Sequence, residues 1–353
     1  MTTRKAAAGW RRWINWQLLI LLGAVLLLWY AVRTVSWPET LAVLNQVGWG
    51  QLAILVALNL GVLLTITARW WVLLLAQGYN LPIVDMLAYR MTVFGVSYFT
   101  PGPQFGGEVF QVVLVSRRHA VPVAASVAAT TMDKIAELLP NFLFLFVGAM
   151  IAIQAQYAPS AFISNTLAIT AGSVFALGLL LVLLWRGYHP VAGLVRLVLD
   201  AWPANRQRHA GVQPEHRAVG AAFYRLVYRS EEQVTWLCRE RPVHLLVSLV
   251  ASALSWVLMF AEFWYVAAAL GMPLTFVMTV TALVVVRLAF LLPAPAGIGA
   301  LEAGVVLVMA GYGYSATAAV SLVLLMRMRD VLQGLIGLWA GGLDVLLRRR
   351  VVD

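Results

Sequence analysis

The chain has 353 residues, 62% apolar and only 11% charged, with a formal net charge of +10. Soluble domains carry about 45–50% apolar and about 25% charged residues, so disordered, fibrous, disulfide-scaffold and ordinary soluble-enzyme classes are excluded. Several apolar runs reach the ~20 residues that a helix needs to cross a bilayer core. The composition therefore predicts one all-α polytopic integral membrane domain over residues 1–353.

The positive charge does not point to nucleic acid. It lies in short clusters beside apolar spans, the positive-inside pattern, and apart from Lys5 and Lys134 it is all Arg. The single Cys238 excludes an intramolecular disulfide and falls in a segment assigned to the cytoplasm, where thiols stay reduced.

In chain order, a basic start (Arg4, Lys5, Arg11, Arg12) precedes an apolar run from Leu18 to Val32 with no small-x-small cleavage site. It reads as an uncleaved first span with its N-terminus inside. Hydropathy predicts six full spans, at about 14–33, 51–71, 121–153, 164–186, 243–270 and 316–347.

Two further apolar stretches, 86–116 and 277–312, are broken near their middles by Pro and Gly. The breaks are Thr100-Pro101-Gly102-Pro103-Gln104-Phe105-Gly106-Gly107 and Pro293-Ala294-Pro295-Ala296-Gly297-Ile298-Gly299. The arms of the first, Met86–Thr100 and Glu108–Ser116, have 15 and 9 residues. At about 1.5 Å per residue the longer reaches about 22 Å, short of a ~30 Å core. Two oppositely oriented re-entrant helical hairpins are therefore predicted, irregular backbone at depth being tolerated where protein or a wet cavity satisfies it. The alternative is a kinked helix plus a surface loop in each case.

Charge sets the orientation. Arg117, Arg118 and His119 follow the first hairpin, nine Arg run from Arg186 through Arg241 inclusive, and Arg348, Arg349 and Arg350 close the chain. The connections 154–163, 271–276 and 312–316 hold no Lys or Arg. A multi-pass protein of the cell (inner) membrane with both termini cytoplasmic follows. Segment 187–242 is predicted to be a cytoplasmic amphipathic connection, with Leu194, Leu197, Val198 and Ala201, then Phe223, Leu226, Val227 and Tyr228, at helical spacing.

The two interrupted regions resemble each other, giving a first repeat at about 86–153 and a second at about 277–347. Glu108 precedes Asp133 by 25 residues, and Glu302 precedes Arg327 by 25. Inverted repeats with broken helices are a common design of secondary transporters.

Ionisable residues inside spans cost at least about 2.5–3.5 kcal/mol each and are functional candidates by default. Glu108, Asp133, Lys134, Glu137, Glu262, Arg287, Glu302, Arg327, Arg329 and Asp330 qualify. Arg287, Arg327 and Arg329, with Gly106, Gly107, Gly297 and Gly299, are the candidate substrate contacts. The Arg groups would attract phosphate, and the glycines would let backbone approach a ligand. Glu108, Glu302, Asp133, Lys134, Glu137 and Asp330 are the candidates for gating or coupling; helix capping is the competing role for the two glutamates. Asp133 and Glu137 share a face at i,i+4, as do Arg327 and Asp330 at i,i+3. Arg69 and Arg90, near expected span ends, are expected to snorkel. No nucleotide-binding, hydrolase or metal-ligand motif occurs, so no enzyme activity, cofactor or metal is expected.

The motifs Thr100-Pro101-Gly102 through Gly106-Gly107-Glu108 and Pro295-Ala296-Gly297-Ile298-Gly299 through Glu302 resemble the flippase-like membrane region of bacterial lysylphosphatidylglycerol synthases (multiple peptide resistance factors) and their stand-alone relatives. The resemblance spans roughly residues 15–345. It implies movement of a phospholipid between leaflets, in the best-known members an aminoacylated phosphatidylglycerol. The synthases' soluble aminoacyl-transfer domain has no counterpart in this chain, so lipid aminoacylation is not expected. The family's second motif usually reads Pro-Gly-Gly-x-Gly-x-Arg-Glu, and Ala296 and Leu301 depart from it. Where an Arg commonly follows shortly after the family's first Glu, this chain has Gln111 or another uncharged residue.

The expected function is thus a flippase-like transporter of a phosphate-bearing lipid, with membrane phospholipids as partners. Two other readings stay open: a secondary transporter of a small anion, and a non-transporting partner of a lipid-modifying or glycosyltransferase enzyme. A homo-oligomer is compatible with all three.

Overall fold

The computed structural model describes residues 37–99, 107–154, 160–201, 214–291 and 298–347. Among these residues all regular structure is helical. The helices are α1 Trp37–Asn45, α2 Trp49–Ala76, α3 Ile83–Phe99, α4 Gly107–His119, α5 Val123–Gln154 and α6 Ser160–Trp185. They continue with α7 Pro190–Ala201, α8 Pro214–Glu240, α9 Pro242–Ala269, α10 Phe276–Leu291, α11 Ala300–Gly311 and α12 Ala316–Leu347.

Among the described residues, four helices are long and apolar enough to cross a membrane: α2, α5, the Asn165–Trp185 part of α6, and α9. Their outward faces are apolar, as at Leu60, Phe175 and Val257, all exposed. In lipid that is the low-energy arrangement, because the bilayer offers no water to reward a polar exterior. The chain is an all-α polytopic membrane protein. Helix α12 matches α5 in length at 32 residues but carries Arg327, Arg329 and Asp330. The predicted span 14–33 lies outside the described residues.

The helix lengths recur in one register. Trp49 and Pro242, Ile83 and Phe276, Gly107 and Ala300, and Val123 and Ala316 are the starts of α2 and α9, α3 and α10, α4 and α11, and α5 and α12. Each pair is separated by 193 residues. Fine detail keeps the same offset: Trp71 Nε1 donates to Leu81 O at 2.9 Å, and Trp264 Nε1 to Leu274 O at 2.9 Å. Positive φ angles recur at Gly78 (90°) and Gly271 (76°), which close α2 and α9, and at Ala120 (53°) and Gly313 (85°). The correspondence begins at Trp49 and Pro242, well upstream of residues 86 and 277, so each unit has four helices.

The two units interlock. Helices α2 and α9 run antiparallel: Leu55 shares a buried cluster with Phe263, Gly61 meets Leu258, and Ser248 Oγ donates to Arg69 O at 3.2 Å. Helix α3 lies on α12, where Thr92 Oγ1 donates to Gly337 O at 3.0 Å. A Cβ on Gly337 would overlap the backbone of Met91, so only glycine allows this approach. The equivalent crossing joins α10 to α5, with Gly148 against Val284. The first short helix of each unit therefore packs against the last long helix of the other.

Two apolar clusters result. One contains Trp70, Leu74, Met86, Val115, Met132 and Leu237; the other Phe263, Met272, Leu283, Leu301, Met309 and Leu322. Helix α2 runs from Leu55 in the second cluster to Leu74 in the first, and α5 runs from Ala125 in the first to Phe144 against the second. The charged residues of both helices lie between.

The 187–242 connection forms α7 and α8. It is more than a surface element, because Val234, Leu237 and Cys238 of α8 are buried in the first cluster. The Glu231 carboxylate accepts the N–H groups of Val191 and Ala192, both at 2.9 Å, and so caps α7.

Candidate functional site

Charge inside this bundle falls into two groups. In the first, Asp133 of α5 is held from two sides. Arg69 of α2 donates through Nε to Oδ1 at 2.6 Å, and Arg90 of α3 through Nη2 to Oδ2 at 2.8 Å. Arg69 Nη2 also reaches Glu137 Oε2 at 2.9 Å. Lys134 Nζ then bridges Glu137 Oε1 at 3.0 Å and Glu108 Oε1 of α4 at 2.9 Å. Three cations and three carboxylates form one continuous chain across four helices. Such closure is required because an ion buried without a partner costs several kcal/mol.

Arg69 and Arg90 correct the sequence expectation. Their relative exposures are 3% and 8%, so they do not snorkel. Arg69 Nη1 is also hydrogen-bonded to Ser252 Oγ at 3.3 Å, and Arg90 Nη2 to Ile66 O at 2.7 Å. A nearby buried carboxylate on another helix is worth more than water at a span end, and Asp133 supplies it.

In the second group Arg327 of α12 donates through Nε to Glu302 Oε1 of α11 at 2.9 Å and through Nη1 to Tyr98 OH of α3 at 3.2 Å. The other oxygen of Glu302 accepts Gly299 N–H at 2.7 Å, capping α11. Arg329 is clamped between Asp330, at 2.7 Å from Nη2, and Glu262 of α9. Arg327 and Asp330 thus engage different partners despite sharing a helix face.

The two groups obey the 193-residue register in part. Lys134 corresponds to Arg327, Glu137 to Asp330, and Arg69 to Glu262 with the sign reversed. Arg287 has an aromatic counterpart, Phe94.

Arg287 of α10 makes no ion pair among the described residues. Its guanidinium lies 4.6 Å over the Trp256 ring, and Nη2 contacts Met259 Sδ at 2.7 Å. Its Nε is shut from solvent with no hydrogen-bond partner. Its neighbours Trp256 and Met259 are on α9, where Glu262 of the second group follows one turn beyond Met259. A cation stacked on an aromatic face can still donate in its own plane, and here the unpartnered Nε–H is the donor left for an anion.

Of the candidate glycines, Gly106 and Gly297 lie outside the described residues. Gly107 is pressed against Val93 and Ser97 of α3, whose Oγ accepts its N–H at 3.2 Å. Its lack of a Cβ serves the packing of α4 on α3. Gly299, at φ 83°, forms the turn into α11. Sequence reasoning missed Tyr98, Trp256 and Met259. The available signal was spacing, since Trp256, Met259 and Glu262 lie one turn apart on α9 and face one side.

No curated protein and no solved structure matches this chain. A family model described as "Lysylphosphatidylglycerol synthase TM region" matches residues 16–337. With that match covering most of the sequence, the chain belongs to the lysylphosphatidylglycerol synthase transmembrane-region family.

Proposed function

We propose that this protein is a flippase-like transporter, not an enzyme, and that it carries a phosphate-bearing lipid between leaflets. One observation carries the reading. Arg287 is the half-buried cation that the carboxylates of both groups leave without an ion pair among the described residues, and its unpartnered Nε–H is available to an anion. A phosphodiester headgroup satisfies that donor while acyl chains stay in the bilayer. Membership of a family named for a lipid synthase's membrane region favours a lipid over a soluble anion.

The transport path is built from two units of inverted topology, α2–α5 and α9–α12. Helices α3, α4, α10 and α11 have 17, 13, 16 and 12 residues. They reach about 26, 20, 24 and 18 Å at ~1.5 Å per residue, which supports two re-entrant hairpins between six full spans. Positive charge after α4 and in α7–α8 supports cytoplasmic termini in the inner membrane. The pairs Glu108–Lys134 and Glu302–Arg327 fasten each second arm to its long helix and form the gates. Arg327 and Arg329, already paired, orient and balance charge around Arg287.

The test is leaflet exchange of fluorescent phosphatidylglycerol in proteoliposomes. Arg287→Gln lowers the rate by about tenfold or more, since hydrogen bonds to charged groups are worth about 1.5–3 kcal/mol, while Arg287→Lys retains part of it. Wild-type rates in Arg287→Gln sink the proposal.

A further inference from the structure

A second cationic site lies at the far end of α6. Trp185, Arg186, Tyr188 and Arg239 line an open groove of about 500 Å3 between the α6–α7 turn and the end of α8. Arg239 Nε donates to Trp185 O at 2.7 Å, and Thr235 Oγ1 donates to Leu184 O at 3.0 Å, so α8 is pinned to the turn. Gly187, at φ 85°, lets that turn pass beneath the guanidinium: a Cβ there would sit 3.2 Å from Arg239 Nη2. Neither Arg186 nor Arg239 makes an ion pair among the described residues, and the carboxylate of Glu231 on the same helix as Arg239 is committed to capping α7.

The groove's surroundings select the ligand. Trp185 and Tyr188 are 56% and 60% exposed at the end of an apolar span. Trp and Tyr at that place belong to the headgroup level of a bilayer. Helix α7 begins two residues beyond Tyr188 and leaves Val191, Leu194, Leu197 and Val198 exposed on one face. A short helix with such a face lies in the interface plane, apolar side toward the acyl chains. Its start next to the groove brings lipid phosphates to the height of both guanidinium groups.

We infer that this groove binds the phosphodiester headgroup of an anionic membrane lipid, with Arg186 and Arg239 on the phosphate and α7 embedded in the same leaflet. The site is distinct from Arg287, which lies on α10 against Trp256 and Met259 of α9, and it stands whether or not the protein moves lipid.

The experiment uses the full chain in bilayer nanodiscs with a phosphatidylglycerol bearing a photoreactive group beside its phosphate. Labelled residues are mapped by peptide mass spectrometry. Label is expected within 183–190 and 236–241, displaced by unlabelled phosphatidylglycerol but not by phosphatidylcholine or soluble glycerol phosphate. The double variant Arg186→Gln/Arg239→Gln loses this label by about tenfold, two charged hydrogen-bond donors being removed. The Arg186→Lys/Arg239→Lys variant keeps most of it, which separates charge from misfolding. Arg287→Gln leaves it unchanged, so failure here and failure of the transport reading are told apart. Equal labelling by phosphatidylcholine, displacement by glycerol phosphate, or full labelling of the Gln double variant overturns the inference.

Discussion

Lys134 and Arg327 stand at the same place in two helices that begin 193 residues apart, and each grips a glutamate from the short helix before its own. Lys134 Nζ lies 2.9 Å from Glu108, and Arg327 Nη2 lies 2.9 Å from Glu302. The environments differ: side-chain exposures are 24% and 27% in the first pair, 13% and 10% in the second.

That difference ranks two substitutions. Glu302→Gln removes the carboxylate charge from a more deeply buried guanidinium and weakens the cap on Gly299, so it costs about 3 kcal/mol. Glu108→Gln costs about 1 kcal/mol, because its ammonium partner keeps Glu137 and some solvent. Thermal unfolding in detergent checks the order, and equal losses would refute it.

Close approach at Gly337 gives a second expectation. Ala there drives a methyl group into Met91 backbone at the α3–α12 crossing and destabilises by about 1–3 kcal/mol. Gly178→Ala in α6 is the control: a Cβ there meets nothing within 4 Å. Replacing a helical Gly by Ala in open space stabilises by about 0.4–1 kcal/mol. Opposite signs in the same melting assay are the expected result.

Cys238, in α8 beside the basic end of the connection, has its thiol pushed up to about 11 by burial. Little thiolate forms at pH 8, so maleimide labelling is slow in the folded protein and fast after sodium dodecyl sulfate. The sign for stability follows. The unfolded thiol ionises first, so its contribution is complete below the ordinary value of 9.0 and is lost as pH rises toward about 11. Cys238→Ser flattens that alkaline decline, which a pH series of melting curves would detect.

Much of the fold was legible because lipid leaves the backbone few choices. Runs of the right length and apolarity had to become helices, and the bounds at 51–71, 121–153 and 243–270 fall close to α2, α5 and α9. The charge-bearing face of α5 was legible too, since Asp133, Lys134 and Glu137 are neighbours along one helix. What stayed hidden was pairing between helices. Arg69 and Arg90 meet Asp133 across 64 and 43 residues, and hydropathy alone does not separate a snorkelling Arg from a paired one. The distinct status of Arg287 emerges only once Glu302 is committed to Arg327 and Glu262 to Arg329. The longer register is carried in the sequence by Trp71 and Trp264, whereas the charged residues that repeat with the same sign lie only in its downstream half.

Helix α3 lodges against α12, and α10 against α5. Severing the chain between α8 and α9 would therefore leave neither fragment able to complete its own interior, and co-expression would be needed to restore one. Either unit by itself would have to meet a second, inserted upside down in the bilayer, to cover those faces.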